Sequence, residues 1–191
     1  AEQGCIDMAA AIMTHGGQAI VVSSGGYRLR ELERIGATHI QIKAQSKNPV
    51  TIWRNAQKLK KIIRQHRVDL VHARSRAPAW SAYLACKDTH TPYITTCHAP
   101  FNVQGAMKRW YNSSIAKGER VIAISHYVAD YLRRQHDLSD ARIRHIPRGV
   151  GLDKLHPTAV TAERMITLAK EWRIPDGANV VLLPGRLTRW K

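Results

Sequence analysis

Short runs of β-branched and aromatic residues alternate with helical segments along this 191-residue chain. The runs occupy residues 18–23, 38–42, 68–72, 93–96, 120–124, 142–146 and 179–183. Between and before them, residues 2–15, 28–35, 50–66, 77–87, 107–116, 127–134 and 162–172 carry apolar side chains at helical spacing. Strands joined through helices do not form hairpins. They build βαβ units, and so a Rossmann-like parallel sheet flanked by helices, an α/β fold with right-handed crossovers.

One run bears most directly on function. Residues 92–101 read PYITTCHAPF, a short strand opened by Pro92 and closed by Ala99-Pro100. Cys97 and His98 then stand at its carboxyl end, the edge at which open α/β sheets bind ligands. Adjacent strand residues point to opposite faces, so these two do not form a thiol–imidazole pair.

Composition narrows the classes. Hydrophobic residues make up 44% of the chain, which excludes global disorder. Glu2 and Asp7 interrupt the amino end, so it does not read as a signal peptide, and no apolar run is long enough to span a bilayer. Three cysteines without CxxC spacing point to a reduced, cytoplasmic chain. Lysine and arginine number 30 against 14 acids, a net charge of +16 that attracts phosphate-bearing partners of any kind.

The chain opens inside a helix and ends just as another βα unit begins. A doubly wound sheet needs a central strand feeding that first helix. The expectation is therefore an α/β domain over residues 1–174 with its first strand missing, and residues 175–191 as the linker and first strand of a second domain.

Several segments then fall into a familiar order: Asp69-Leu-Val-His-Ala73, Thr95-Thr-Cys-His98, Arg120-Val-Ile-Ala-Ile-Ser125, Ile146-Pro-Arg-Gly-Val150 with Leu155-His-Pro157, and Leu183-Pro-Gly-Arg-Leu187 with Lys191. Together they resemble the amino-terminal domain of a glycosyltransferase family 4 enzyme of GT-B architecture. The resemblance implies a metal-independent hexosyltransferase-like enzyme that moves a sugar from a nucleotide-sugar donor, with retention at the anomeric carbon. It implies no cofactor beyond that donor. It also implies a glycolipid or polysaccharide acceptor, as in bacterial envelope or lipopolysaccharide biosynthesis. The 191 residues alone are expected to be inactive.

Residue by residue, the resemblance implies that Arg186 and Lys191 hold the donor diphosphate, where cations offset the charge growing on the leaving group. It implies that His98 faces the donor sugar as the catalytic-edge residue, bonding a hydroxyl rather than acting as general base. Arg74, Ser75 and Arg76 follow the 68–72 strand onto the same edge, where they suit an anionic acceptor or the donor phosphate. Arg148-Gly149-Val150-Gly151 departs from the family, which more often has Asn before the glycine and Asp after the valine. Gly149 is expected to supply a backbone conformation that other residues resist.

Two basic surfaces remain. On helix 50–66, Ile52, Trp53, Ala56, Leu59 and Ile63 form an expected apolar stripe, with Arg54, Lys58, Lys61 and Arg64 opposite it as a solvated face. On helix 107–116, Met107, Trp110, Tyr111 and Ile115 share an expected face with Lys108 and Arg109 at its margin. That composition suits peripheral contact with an anionic membrane on the inner face of the cytoplasmic membrane. The rival reading, a basic α/β nucleic-acid-binding module, lacks a helix-turn-helix, zinc-finger or RNP signature. With aromatics at 6% it is also poor in base-stacking surfaces, so no nucleic-acid partner is expected. Ten histidines show no paired metal-ligand spacing.

Overall fold

The structure is a computed structural model that describes residues 2–101, 105–151 and 156–185. The chain divides into two compact units, Ala1–Arg148 and Gly149–Lys191. The expected boundary at residue 174 lies inside the second unit.

The first unit runs α1 (Glu2–Thr14), β1 (Ile20–Ser23), α2 (Leu29–Arg34), β2 (Thr38–Gln41), α3 (Pro49–Gln65), β3 (Val71–Ala73), α4 (Arg76–Thr89) and β4 (Tyr93–Cys97). It continues with α5 (Ala106–Asn112), a 3-10 turn (Ser113–Ala116), β5 (Arg120–Ala123), α6 (His126–His136) and β6 (Ile143–His145). All strand pairings are parallel, as the alternation requires: β1 with β2, and β3-β4-β5-β6 in sequential order. Among the described residues no backbone ladder joins the two sheets.

Local chemistry explains the boundaries. The Asn48 side chain accepts from Val50 N–H and Thr51 N–H, and Pro49 sits at the first helical position, so α3 starts there. Ser125 accepts from Val128 N–H at 3.2 Å and caps α6, as its place before the helix suggests. Gly118 precedes β5 because a Cβ there would lie 2.8 Å from the Arg120 carbonyl and 3.0 Å from Thr95 N.

Three apolar clusters hold the elements. Ile6, Ala9, Leu32 and Ala37 join α1 and α2 to the first sheet. Ile63, Ala79, Ala82, Ala85 and Tyr93 lock α3 and α4 onto β3 and β4, where alanines let the two helices approach closely. Cys97, Val121, Ala123, Val128, Leu132 and Ile143 fill the space under α6. Fully buried Leu132 alone contributes about 2–3 kcal/mol of apolar burial.

Three local expectations need correction. Trp53 does not belong to the buried stripe of α3; it is 59% exposed. It lies 100° around the helix from Ile52, while Asn55 is buried and donates to the Lys43 carbonyl. Met107, Trp110, Tyr111 and Ile115 do not share one face. The α-helix stops at Asn112, and the tighter turn that follows sends Ile115 into the core at 1% exposure. Residues 179–183 form no strand: Val181 is 97% and Leu183 94% exposed, with no partner strand among the described residues. β-Propensity reports the fit to a neighbouring pleated surface and does not make a strand by itself.

In the second unit, Thr161 accepts from Arg164 N–H and caps α7 (Ala162–Glu171). Gly149 has no left-handed backbone angle, and a Cβ there would meet open space. The steric reason proposed for that glycine therefore does not apply. Among the described residues no helix is long and apolar enough to cross a membrane.

Candidate active site

Parallel register places the site. Ala73, the last residue of β3, pairs with Thr95, so Arg74 and His98 both emerge beyond the carboxyl ends of adjacent strands. His72 lies one residue inside that edge, and its Nε2 is 2.7 Å from the Thr96 hydroxyl on the neighbouring strand. Arg148 arrives from the segment after β6, and its Nη2 donates to His98 Nδ1 at 2.9 Å. The first turn of α1 closes the cluster: a Cβ on Gly4 would lie 2.7 Å from Arg74 Nη2. Only a residue without a side chain leaves the guanidinium its place.

A guanidinium only donates, so the Arg148 contact fixes the His98 tautomer. Nδ1 is the acceptor and the neutral ring carries its proton on Nε2. That Nε2 is buried and has no hydrogen-bond partner; the same holds for Arg74 Nε. Two buried N–H donors therefore sit unanswered at one sheet edge. The Arg74 backbone is near enough to affect the ring electrostatically, but outside hydrogen-bonding geometry.

Electrostatics agree with this assignment. Burial, then the Arg148 and Arg74 guanidiniums, pulls the His98 pKa down to about 4. His72 falls to about 4 through burial, Arg74 and His98. Arg74 itself is lowered mainly by burial, with Arg148 in the same sense and Cys5 and Asp7 opposing. Cys5, on the first turn of α1, is raised by burial and lowered in part by Arg74. The site thus combines two cationic side chains and two neutral imidazoles, with the α1 segment carrying Gly4 packed against them. It matches ligand atoms that accept hydrogen bonds and carry negative charge. His98 has no free lone pair with which to act as a base, because Arg148 occupies it.

The other sequence candidates are distributed differently. Ser75 caps α4 by position but makes no side-chain cap bond, so its exposed hydroxyl stays at the edge. Arg76 stands apart: its guanidinium lies 3.9 Å from the centre of the Phe101 ring, and its Nη1 donates to Asn112 Oδ1 at 2.7 Å. It ties the start of α4 to α5. Cys97 is fully buried, its thiol donates toward the Ala99 carbonyl, and burial pushes its pKa up to about 11. That removes it from nucleophilic chemistry. Arg186 and Lys191 lie outside the described residues. Lys108, Arg109 and Trp110 are exposed on α5, and Tyr111 is half-buried. Among the described residues no three His, Cys, Asp or Glu side chains gather as a metal site.

Gly4, His72 and Arg148 were not legible as site residues. Their roles come from register and from helix α1 reaching the sheet edge; only the departure of Arg148 from the family pattern marked it.

Comparison with known proteins follows the same lines. The family model described as Glycosyltransferase Family 4 matches residues 1–154. A crystal structure of a glycosyltransferase from Rickettsia africae ESF-5 superposes with a TM-score of 0.85 and 37% identity, covering 100% of this chain and 50% of that one. Anabaena HepE in complex with UDP and glucose has a TM-score of 0.65 and 14% identity, covering 88% of this chain and 45% of that one. A UDP-GlcNAc 2-epimerase from Neisseria meningitidis bound to UDP-GlcNAc has a TM-score of 0.59 and 13% identity, covering 93% of this chain and 53% of its own. The last two share the fold. The chain spans about half the length of these proteins. Among curated proteins none matches significantly. A family match over most of the chain, and a solved glycosyltransferase whose fold it shares at substantial identity, agree: this chain belongs to glycosyltransferase family 4.

Proposed function

We propose that this chain forms the acceptor-side part of a retaining glycosyltransferase that moves a sugar from a nucleotide-sugar to an anionic glycolipid or polysaccharide of the cell envelope. The observation that carries the reading is the pair of buried, unanswered donors, His98 Nε2–H and Arg74 Nε–H, at the carboxyl edge of β3 and β4. A fold shared with proteins crystallised with UDP and a sugar supports a nucleotide-sugar as donor.

In this mechanism His98 donates from Nε2 to a hydroxyl of the donor sugar. Arg148 holds the tautomer that makes the donation available. Arg74 faces the anionic group of the acceptor or the phosphate of the leaving nucleotide, with the Ser75 hydroxyl beside it. Fixed donors of this kind act where negative charge grows in the transition state, and need no reorganisation when it does. Arg186 and Lys191 hold the donor diphosphate, so side-chain cations take the neutralising role and the reaction needs neither metal nor cofactor. His98 abstracts no proton. Residues 1–191 by themselves bind ligand but do not turn over.

The test is transfer by the complete enzyme carrying His98→Ala. Loss of one preorganised donor raises the barrier by about 2–4 kcal/mol. A rate within twofold of the parent, measured with saturating donor and acceptor, rejects the role of His98.

A further inference from the structure

The segment that carries His98 is short and fastened at several points. Cys97, the last residue of β4, donates its thiol to the Ala99 carbonyl at 3.4 Å. Pro100 fixes its own φ and biases Ala99 toward extended backbone, so the path from His98 to Phe101 has little freedom. At half-buried Phe101 the chain meets two side chains for which the reaction has no direct use. The Arg76 guanidinium lies 3.9 Å from the centre of the ring. Tyr131 meets the same ring edge-on, at 6.5 Å between ring centres and 87° between planes. Its hydroxyl donates to the Phe101 carbonyl at 3.3 Å.

Both side chains are themselves held by the fold. Arg76 opens α4, and its Nη1 donates to Oδ1 of buried Asn112 at 2.7 Å, which sets the plane of the guanidinium. Tyr131 lies on α6, whose Val128, Ala129 and Leu132 are buried. A phenol has one proton, and the Phe101 carbonyl takes it. In the 3.3 Å contact between Tyr131 and His136 Nε2 the imidazole is therefore the donor. Helix α4 follows β3 and α6 follows β5, the two strands that flank β4 in the sheet. Phe101 is thus gripped from both sides of the strand that delivers His98. Arg76, with its face covered by the ring and one donor taken by Asn112, is placed to hold the loop and not to hold a ligand.

We propose that Arg76 and Tyr131 are positioning residues, which grip Phe101 and thereby fix where the His98 imidazole stands at the carboxyl edge of β4. Arg148 sets which nitrogen of that ring carries the proton; the grip on Phe101 sets where the ring is. Neither Arg76 nor Tyr131 touches the reacting atoms. A hydrogen bond that strengthens in the transition state tolerates little displacement, and a shift of about 1 Å costs about 100-fold in rate. The proposal rests on the reading of His98 as a donor to the sugar, and assigns the residues that keep it in place.

A double-mutant cycle in the complete enzyme tests it. Arg76→Ala lowers kcat about 10- to 100-fold and leaves the donor KM within about twofold. Tyr131→Phe keeps the ring, loses only the hydroxyl bond and lowers kcat about two- to tenfold, so it decides the matter if Arg76→Ala does not fold. Placed on top of His98→Ala, either change costs less than about twofold more, because its route to the reaction is already gone. Losses that multiply in the His98→Ala background overturn the proposal. Imidazole spectra of the same variants separate it from the reading on which it rests. In Arg76→Ala and Tyr131→Phe the His98 ring signals shift and its titration moves up toward 6.5 as water gains access, while the remote His15 signals stay where they are. Moved His98 signals with a normal rate for His98→Ala support the grip and reject the role of His98 in transfer. Unmoved His98 signals in both folded variants reject the grip itself.

Discussion

Two arginines of the first unit are used in opposite ways. Arg142, just before β6, donates from Nη2 to the Ala116 and Gly118 carbonyls at 2.6 Å each, and so closes the segment that leads into β5. Arg74, beyond β3 at the carboxyl edge, keeps a buried Nε–H with no hydrogen-bond partner, and feels the Arg148 guanidinium as well as the Asp7 carboxylate. A structural cation has its donors answered by the fold. A cation whose donors the fold leaves open at a binding edge is waiting for a ligand, because burying unpaired donors costs free energy that nothing else in the protein returns.

The contrast can be broken by exchanging the roles. Arg74→Ala in the complete enzyme lowers turnover by about 2–4 kcal/mol of barrier, since it removes a fixed cation from the reacting edge. It leaves the denaturation midpoint of the chain nearly unchanged. Arg142→Ala behaves in reverse. It removes charge-assisted bonds to two carbonyls and costs about 2–3 kcal/mol of stability in a urea titration. Activity is normal wherever the variant is folded. If both variants lose stability alike, the distinction between the two arginines fails.

Gly4 sharpens the same point with a smaller effect. A methyl group there meets only the far end of the Arg74 side chain, which can move. Gly4→Ala is therefore expected to keep its stability and to weaken inorganic pyrophosphate binding by about 1 kcal/mol, the scale of one displaced surface-type ion contact, in calorimetric titration. Unchanged binding would mean that the approach of α1 to Arg74 has no bearing on the ligand.

The histidines give the gentlest probe. His72 and His98 have folded pKa values lowered from 6.5 to about 4. Their neutral forms are favoured by folding, so their contribution is complete above pH 6.5 and is lost as pH falls toward 4. Stability of the chain declines across that window. His98→Asn makes the decline shallower, as thermal melts at a series of pH values would show.

Much of this architecture was readable beforehand because alternation of β-rich runs with helical segments leaves few topologies open. Among the described residues the six strands of the first unit overlap the runs and pair in parallel as the alternation implies, although β3 keeps only Val71 and His72 of the run 68–72 and extends to Ala73. Residues 179–183 were misread because a run of Val and Leu is strand-like only beside another strand. Trp53 was misread because one residue of helical phase separates a buried position from an exposed one. His98 and Arg74 could be picked out from their positions after strands, the one rule that links sequence to a sheet edge. His72 could not, since its neighbours are set by pairing with β4. Nor could the occupation of Arg76 by Phe101 and Asn112, which depends on where a loop and a distant helix end come to rest.

The central claim is that His98 is a neutral donor held between two guanidiniums and open to an anion. Proton–nitrogen correlation spectra of the imidazoles, recorded through a pH titration with and without UDP, test it most directly. The account predicts a His98 ring protonated at Nε2, titrating at about 4, whose pKa rises when UDP binds. A ring that titrates near 6.5 and ignores the nucleotide would contradict it.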